Sequence, residues 1–420
     1  MAIQGLRDTS NFVANARPQN WREGILLLYP NGKTPLLGLT SVMKKRETDD
    51  IQFNWWEKQL DDRRFELHAS NGDLTASNTT LVLAAGSNAR TLRAGDVLLV
   101  EQTREQLFVT ADPSTETAVQ VLRGWAGTTP ATLDANGAGI NPHVMLIGSA
   151  FEEASMAPTG VNYDPTQFYN YTQIFRDTLE ASRTAMKTRL RTGDSVREAK
   201  RECLEYHGIA IERALWHGER SSSVRNGKPQ HTMRGIEKWI PNDNIKTANT
   251  TDGVDMEQME EYLFEMFKYG SSEKVGFCGN RALLTLNQIV RKNGKMNIQS
   301  GIKEFGMNVS RLTSPFGEIV LKSHPLFNQI GGGTTTAQAY YGLESWLVVL
   351  DMENIKYVHM KDSDTKYQPD LTPTGMDGMK SGYLTECSLE VHHGKTHYMI
   401  KNLAKAKVDD DLALNVTVNP

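Results

Sequence analysis

Cysteine is scarce in this sequence, which has three in 420 residues: Cys203, Cys278 and Cys387. They match neither a CxxC pair nor the dense, even spacing of a disulfide framework. Disulfide-stapled domains belong to oxidising compartments, whereas proteins of reducing compartments keep their thiols free. The cysteine pattern therefore predicts a protein of a reducing compartment.

Long hydrophobic runs are lacking as well. No stretch approaches the roughly 18 consecutive apolar residues that indicate a membrane-spanning helix. The first residues, MAIQGLRDTSNFVANARPQNW, contain no apolar core of a signal peptide. The sequence therefore predicts a soluble protein that has no secretion signal and does not enter a membrane.

An excess of positive charge is also lacking, since 46 lysines and arginines stand against 50 aspartates and glutamates. The formal net charge of −4 excludes a general basic surface that would hold nucleic acid non-specifically. Any contact with DNA must then be local or weak. The composition is otherwise ordinary, with 39% hydrophobic and 23% charged residues, and the length predicts about two to four folding units.

Catalytic signatures are missing too. The sequence contains no GxSxG, HExxH or GxGxxG motif and no paired Cys/His nucleophile. The segment PNGKT, Pro30–Thr34, ends like a phosphate loop, but Leu27 stands where that loop needs its first glycine, so a turn is favoured. These absences favour a protein that is not an enzyme and has no cofactor, but they do not exclude an enzyme, because catalytic groups converge in space and not in sequence.

Two groups of side chains invite comparison with metal sites. His392, His393 and His397 lie near one another if His393–Gly394 forms a hairpin turn, but no Cys, Asp or Glu accompanies them at ligand spacing. The run Asp409–Asp411 lacks the glycine and the alternating ligands of a calcium loop. Solvated or packed histidines and a charged tail are favoured, and no metal is predicted.

What the sequence does contain is one long helical signal, DSVREAKRECLEYHGIAIERALWHG, at Asp194–Gly218. Ser195 and Glu198 are typical of a capping box, and Gly218 is placed to end the helix in the left-handed conformation. At ~1.5 Å per residue the helix spans about 36 Å, which predicts a structural strut. The preceding segment, Phe175–Leu190, has a rough helical period and predicts a second helix.

One narrow stripe of the long helix is predicted to pack, and its charged residues between Arg197 and Glu212 are predicted to be solvated or to face another subunit. The stripe consists of Val196, Ala199, Cys203, His207, Ala210 and Ala214.

The N-terminal third of the chain reads as an arm followed by β structure. Residues 1–50 are polar and proline-containing, which predicts an arm that lies along another surface or stays mobile. From Ile51 the side chains alternate as in a strand that has an aromatic residue on each face, Trp55 and Trp56. A role between subunits and a role in the core both remain open for these tryptophans.

A compact β unit is predicted at 78–150. Short strands at intervals of about ten residues, separated by turn clusters, are typical of a small barrel or sandwich. The candidate strands are Thr80–Ala84, Asp96–Glu101, Gln106–Thr110, Ala118–Leu122 and His143–Ile147.

The C-terminal half mixes helices and strands. Residues 234–329 predict an α+β domain in which Asp255 caps a helix. Later, Tyr383–Val391 alternates as a strand and is predicted to turn at His393–Gly394 into a partner strand, Thr396–Lys401.

The order of arm, β excursion, long helix, α+β domain and return to sheet resembles the major capsid proteins of tailed bacteriophages with the Hong Kong 97-type fold. Three stretches are similar to a subgroup of that family: FYNYTQIFRDTLEASRTA at Phe168–Ala185, ERALWHGE at Glu212–Glu219 and GFCGNRALLTLNQIV at Gly276–Val290. The resemblance spans nearly the whole chain, and its motifs are structural and not catalytic.

The resemblance implies an α+β capsid fold with a long spine helix at 194–217 and these divisions: an N-terminal arm at 1–50, an extended loop at 51–157 carrying an inserted β domain at about 78–150, a peripheral domain at 158–233 and 340–406, an axial domain at 234–339 and a tail at 407–420. Trp55, Trp56 and Lys58 on the extended loop then become candidates for contacts between subunits. No crosslink through Lys58 is predicted.

The implied function is that of a major capsid protein, which self-assembles through hexamers and pentamers into an icosahedral shell around phage double-stranded DNA. It would be assembled in the host cytoplasm and located in the virion. The implied partners are further copies of the chain, a separate scaffolding protein, a portal and a decoration protein, with weak, non-specific contact to the packaged DNA and no membrane.

Two other classes of function stay open on the residues alone. The β unit, with Trp125 predicted to be exposed, is compatible with a receptor-binding or carbohydrate-binding virion module. A hydrolase site between the α+β domain and the return sheet is the weaker alternative. A binding module would form monomers or small rings, and a hydrolase would show a pocket with shifted carboxylates or histidines.

Overall fold

The computed structural model describes residues 43–68, 74–84, 88–133, 141–188, 195–248, 253–293, 298–304, 307–329 and 342–407. Side chains are described throughout these ranges except at 195, 291–293, 298–304, 307–309 and 329. Most of the predicted arm, the PNGKT segment and Asp409–Asp411 lie outside the described residues. The chain forms two compact units, Met1–Trp55 with Phe168–Pro420, and Trp56–Gln167.

The α-helices of the described residues are α1 Arg183–Lys187, α2 Ser195–His217, α3 Ile236–Trp239, α4 Met256–Met266, α5 Asn280–Asn293 and α6 Pro325–Gln329. None of them is long and apolar enough to cross a membrane.

The strands are β1 Lys44–Thr48, β2 Gln52–Glu57, β3 Arg64–Glu66, β4 Thr80–Val82, β5 Asp96–Val100, β6 Gln106–Val109, β7 Ala118–Leu122, β8 His143–Ser149, β9 Thr166–Tyr171, β10 Gln173–Ser182, β11 Ser221–Arg225, β12 Lys228–Thr232, β13 Ile245–Thr247, β14 Glu273–Cys278, β15 Ile298–Glu304, β16 Met307–Ser314, β17 Gly317–Ser323, β18 Leu347–Leu350, β19 Ile355–Met360, β20 Lys366–Gln368, β21 Gly378–Val391 and β22 Tyr398–Lys401.

The unit Trp56–Gln167 is a closed six-stranded barrel. Its strands follow the order β3-β8-β5-β6-β7-β4. The ends of the sheet join because the His68 amide donates to the Val82 carbonyl at 2.9 Å and the Ala84 amide donates to the Glu66 carbonyl at 2.8 Å. A barrel closed in this way has no free strand edge to pair with another chain.

Alternation along the strands fills the barrel. In β7, Val119 and Val121 are buried whereas Gln120 and Leu122 are exposed, as the two-residue period of a strand requires. Strands β4 to β8 lie where the sequence predicts them, and β3 adds a strand that the sequence pattern does not single out. The core consists of Phe65, Leu67, Leu74, Leu81, Leu83, Ala89, Leu92, Leu98, Val100, Leu107, Val109, Val119, Val121, Leu133 and Val144.

The larger unit contains a five-stranded sheet in the order β1-β19-β21-β10, with β20 also paired to β21. Strands β10 and β21 pair over the 10 residues of β10. The predicted helix at 175–190 is therefore wrong for residues 175–182. Phe175 and Leu179 are both buried, and their spacing of four places two residues on one face of a helix and of a strand alike.

A second, seven-stranded sheet follows the order β13-β22-β18-β14-β17-β16-β15. All four residues of its inner strand β18 are buried, as expected for a continuous apolar run. Helices α4 and α5 pack on this sheet, and Asp255 caps α4 as predicted, since its Oδ1 accepts the Gln258 amide at 2.8 Å.

The predicted hairpin at His393–Gly394 is wrong. Strand β21 belongs to the five-stranded sheet, whereas β22 pairs with β13 and β18 in the seven-stranded sheet. His393 adopts φ 48°, and a short 3₁₀ turn at Gly394–Thr396 carries the chain from one sheet to the other. A hairpin and a crossover between sheets have the same local turn signal, so pairing decides between them.

The long helix is confirmed, with α2 covering 23 residues. Its end differs from the prediction, because the φ of Gly218 lies outside the left-handed region and its amide still donates to the Ala214 carbonyl at 2.9 Å. A Cβ at Gly218 would lie 2.5 Å from that carbonyl oxygen and 2.7 Å from the Met233 oxygen. Close backbone approach, and not a left-handed turn, therefore requires the glycine.

Candidate interaction surfaces

The ribbon formed by β2 and β9 lies where the chain leaves the larger unit and returns to it. In β2, Phe53 and Trp55 are buried whereas Asn54 and Trp56 are exposed. Within the subunit the strand is therefore covered on one face, although each face carries an aromatic residue. The uncovered face carries Trp56, which is 62% exposed.

Trp55 belongs to the core of the larger unit. It is 5% exposed, and its ring centre lies 5.2 Å from that of Trp239, 5.8 Å from that of His392 and 6.3 Å from that of Phe168. Packing of this kind leaves no face for a neighbouring molecule. Of the three residues predicted to contact another subunit, the structure exposes Trp56 and Lys58 and buries Trp55.

Helix α2 is fixed to the five-stranded sheet through His207, which is 1% exposed. Its Nδ1 lies 2.6 Å from Asp177 Oδ2 on β10, and its Nε2 lies 2.7 Å from Thr385 Oγ1 on β21. Both ring nitrogens therefore have partners on adjacent strands, which sets the position of the helix along the sheet.

Glu212 corrects the prediction for the charged residues of α2. Predicted on the surface, it is 0% exposed, and its Oε1 lies 2.9 Å from Nε2 of the equally buried His324, which follows β17. Burial lowers the pKa of nearby Lys322, and the Glu212 charge opposes that shift. Ala210, predicted to pack, is instead exposed. The helix thus carries a buried acid because its packing face is wider and rotated from the predicted stripe.

Strand β1 is the described end of the predicted arm, and it forms the parallel edge of the five-stranded sheet. Its Arg46 Nη1 lies 2.5 Å from Oε2 of Glu390, whose side chain is 1% exposed. Lys356 and His392 contact the other oxygen of Glu390 at 3.1 and 2.5 Å. Burial alone would raise the pKa of Glu390, but the hydrogen bonds with His392 and Lys356 and the charges of Arg46 and Lys356 lower it to about 2.

The barrel contains its own buried ion pair. Glu105 accepts Nε and Nη2 of Arg123 at 2.7 and 2.8 Å and the amides of Gly124 and Ala131 at 3.1 and 3.2 Å. Together these donors hold the pKa of Glu105 below its usual value despite burial. The loop between Arg123 and Ala131 is therefore anchored at both ends by one carboxylate.

Trp125 lies in that loop and is only partly exposed. Its ring stacks on Phe108 with 4.4 Å between ring centres and 23° between planes. A carbohydrate-binding tryptophan presents a free ring face to the sugar. The binding-module alternative rests on Trp125. Because Phe108 stacks on one face of its ring, that face is not available to a sugar.

The hairpin of β11 and β12 is a surface element that the sequence pattern does not predict. Asn226 and Gly227 form its turn with φ 51° and 71°, and every residue from Ser221 to Gln230 is exposed. Asn-Gly between two short strands is the strongest short-range signal for such a hairpin. The flanking residues lack the apolar alternation that normally accompanies the signal, which explains the omission.

The three histidines weighed as metal ligands serve other purposes. His392 contacts Glu390, and the fully buried His397 accepts the Asp351 amide on Nδ1 at 3.2 Å. Burial lowers the pKa of His397 to about 4. Within the described ranges, no group of three or more His, Cys, Asp or Glu side chains is placed to hold a metal ion.

Comparison with known proteins identifies one family. The model of the family described as SU10 major capsid protein matches residues 8–404. A major capsid protein of Pseudomonas phage PaMx41 is 25% identical over 354 residues, which cover 82% of this chain and 79% of that protein.

Solved structures with some similarity to the chain share few identical residues with it. The holo-SrpI encapsulin complex of Synechococcus elongatus PCC 7942 has a TM-score of 0.46 at 8% identity and covers 96% of this chain and 97% of that chain. Mycobacterium phage Bobi gives 0.44 at 6% identity and covers 94% and 97%. The family match over residues 8–404 carries the identification, since structural similarity at these scores is slight.

Proposed function

The chain belongs to the family of SU10 major capsid proteins, and we propose that its copies assemble through hexamers and pentamers into an icosahedral shell that encloses double-stranded DNA. The family itself makes it a structural, shell-forming protein of the virion and not an enzyme. The observation that carries the rest is the contrast in the larger unit between a packed interior around α2 and elements with an exposed face, such as β2 and the β11–β12 hairpin.

The rigid interior supports a Hong Kong 97-type arrangement with α2 as the spine helix. Residues of α2 pack in one core with both sheets, and buried polar contacts at His207 and Glu212 join it to each of them. These contacts fix the position of α2 relative to both sheets.

The exposed elements support the assignment of domains. Residues 1–50 act as the N-terminal arm, whose last strand, β1, lies on a sheet edge. Residues 51–157 act as the extended loop with the barrel inserted in it, residues 158–233 and 340–406 as the peripheral domain, and residues 234–339 as the axial domain. Trp56 and Lys58 then contact a neighbouring copy, because they lie exposed at the start of the extended loop.

The remaining partners are proposed from the capsid function. Assembly takes place in the host cytoplasm with a separate scaffolding protein and a portal, and a decoration protein joins from outside. The contact with packaged DNA is weak and non-specific, in keeping with a formal net charge of −4.

Electron microscopy and sedimentation of the purified chain, expressed alone and together with its neighbouring viral proteins, test the proposal. We expect closed shells, or rings of five and six copies. A chain that stays monomeric under every condition, including co-expression, contradicts shell formation through hexamers and pentamers.

A further inference from the structure

The hairpin of β11 and β12 contributes almost nothing to the fold of its own subunit. Ten consecutive residues, Ser221 to Gln230, are exposed, and the largest apolar side chain among them, Val224, is 74% exposed. A two-stranded hairpin that buries no side chain is marginally stable at best. The function of this element is therefore expected in a contact with another molecule.

The base of the hairpin is nevertheless held firmly. The guanidinium of Arg220 lies 3.8 Å from the ring centre of Tyr169 and donates to the Tyr169 carbonyl at 2.7 Å. On the other strand, the His231 ring lies 5.1 Å from that of Tyr171, and Thr232 Oγ1 donates to the Glu219 carbonyl at 2.6 Å. The structure thus projects the tip from a fixed base.

Charge distinguishes the hairpin from the rest of the chain. No acidic residue occurs between Arg220 and Ile236, although the chain as a whole has 50 acids and a net charge of −4. Arg225 and Lys228 are directly opposite each other in the strand register, which puts both on the same face at the tip. Neither side chain forms an ion pair with any residue that the structure describes.

Two like charges directly opposite each other destabilise a strand pair. An anionic partner on the face of Arg225 and Lys228 would offset this repulsion. Ser221, Ser222 and Ser223 add hydroxyl donors on one strand. Arg225 could anchor an acidic protein surface as well, but Val224 is the one large apolar side chain between Ser221 and Gln230, too little to form the dry core of a protein interface. Double-stranded DNA, by contrast, carries one phosphate charge per ~1.7 Å of its axis.

We propose that the β11–β12 hairpin contacts the phosphate backbone of the enclosed double-stranded DNA through Arg225 and Lys228. The inference rests on the proposed enclosure of DNA and names the element that touches it. Contact with phosphates alone carries no sequence preference, so the hairpin binds any duplex, and its affinity falls as salt rises.

The test measures binding of the full chain to a fluorescent mixed-sequence DNA duplex across a salt series. For wild type we expect log K to fall linearly with log salt. Replacing both cations, R225Q/K228Q, removes two phosphate contacts and should reduce the magnitude of the slope by about 1.8, at about 0.9 per contact. Conservative R225K/K228R should keep the wild-type slope.

A matched control removes the same two charges elsewhere. Arg176 and Lys366 are exposed strand residues that form no ion pair within the described part of the chain. R176Q/K366Q should leave the slope at its wild-type value. Equal slopes for wild type, R225Q/K228Q and this control overturn the proposal, and so does an absence of measurable wild-type binding at low salt.

Electron microscopy of the same preparations separates this inference from the capsid proposal. If shells form and R225Q/K228Q has the wild-type slope, the DNA contact is contradicted and the capsid proposal is not. A reduced slope in a chain that stays monomeric under every condition, including co-expression, keeps the phosphate contact and contradicts the proposed assembly. If R225Q/K228Q loses its shells while its DNA slope stays at the wild-type value, the hairpin binds an acidic surface of a neighbouring copy and the DNA proposal is wrong.

Discussion

The barrel and the larger unit solve the problem of strand edges in opposite ways. In the barrel, the first and last strands of the sheet order, β3 and β4, join, so all of its edges are used. In the larger unit, β1 and β13 lie at sheet edges, and the hairpin and the β2–β9 ribbon have two strands each. A closed sheet is complete by itself, whereas open edges and ribbons are available to other chains.

Their buried polar pairs differ in the same sense. The barrel pair Glu105–Arg123 joins residues 18 apart in sequence. In the larger unit, Glu212–His324 spans 112 residues and Arg46–Glu390 spans 344. The barrel pair thus organises one loop, while the pairs of the larger unit join α2 and β1 to residues that are far away in the sequence. The comparison predicts a self-sufficient module inside a subunit that is built for association.

The largest loss of stability is expected from Glu105→Ala. It leaves Arg123 charged, buried and without its carboxylate, and breaking a buried pair costs about 3–5 kcal/mol. Glu101→Ala is the matched control, because Glu101 forms an exposed pair with Arg64 and such pairs contribute about 0–1 kcal/mol. Calorimetry of both variants measures the difference. Equal destabilisation would show that the barrel does not depend on its internal pair.

Ala210→Pro tests the role of α2 in the larger unit. Proline in the middle of α2 removes a helical hydrogen bond and kinks the helix, at a cost of about 3 kcal/mol or more. We expect no shells by electron microscopy. Ala210→Ser, at an exposed position, should assemble normally. Normal particles from the proline variant would mean that a straight α2 is not needed for assembly.

A pH effect follows from His397 in the larger unit. Its folded pKa of about 4 lies below the ordinary 6.5, so the folded state favours the neutral ring. Above pH 6.5 the ring is neutral in the folded and the unfolded state, so His397 does not lower the free energy of unfolding. As the pH drops towards 4, the unfolded state binds the proton first, and the free energy of unfolding falls by about 3 kcal/mol for a shift of this size. Below that range, protonation of Glu390 between 4.5 and about 2 removes more.

His397→Asn checks that effect. Asn Oδ1 can still accept the Asp351 amide, but it does not titrate. Calorimetric scans at pH 7 and pH 4.5 should therefore show a smaller loss of stability for the variant than for wild type. An identical loss in both proteins would assign the acid sensitivity to other groups.

The smallest stability effect is expected from Trp56→Ala. The side chain is 62% exposed, so its removal should change the free energy of unfolding by less than about 0.5 kcal/mol. The yield of shells should nevertheless fall, because Trp56 is proposed to contact a neighbouring copy. Trp55→Ala, in the core, should cost about 3–5 kcal/mol. Full assembly by the Trp56 variant would remove this residue from the interface.

Features fixed by local pattern could be predicted from the sequence. Strands β5 to β8 of the barrel follow from alternation and turn residues, and α2 follows from helical spacing between its boundaries. Asp255 at the start of α4 is another local signal, because an N-cap acts on amides two or three residues away.

Features fixed by distant partners could not be predicted. Glu212 looks like a surface residue until His324, 112 residues later, is placed against it. The segment 175–182 has spacing that suits helix and strand equally, and only its pairing with β21 makes it a strand. The paths of β21 and β22 into different sheets depend on the same kind of information. The resemblance to a family supplied the function, which no motif in the chain does.

The pairing of β3 with β8 determines where the two ends of the barrel lie. In sequence order, β3 is the first strand of the barrel and β8 is the last. They are antiparallel neighbours, with Glu66 opposite His143, so the chain enters and leaves the barrel side by side. A module with adjacent ends can be gained, lost or exchanged in a gene without moving the residues on either side. The barrel therefore meets the geometric condition for being removed or replaced as a single piece.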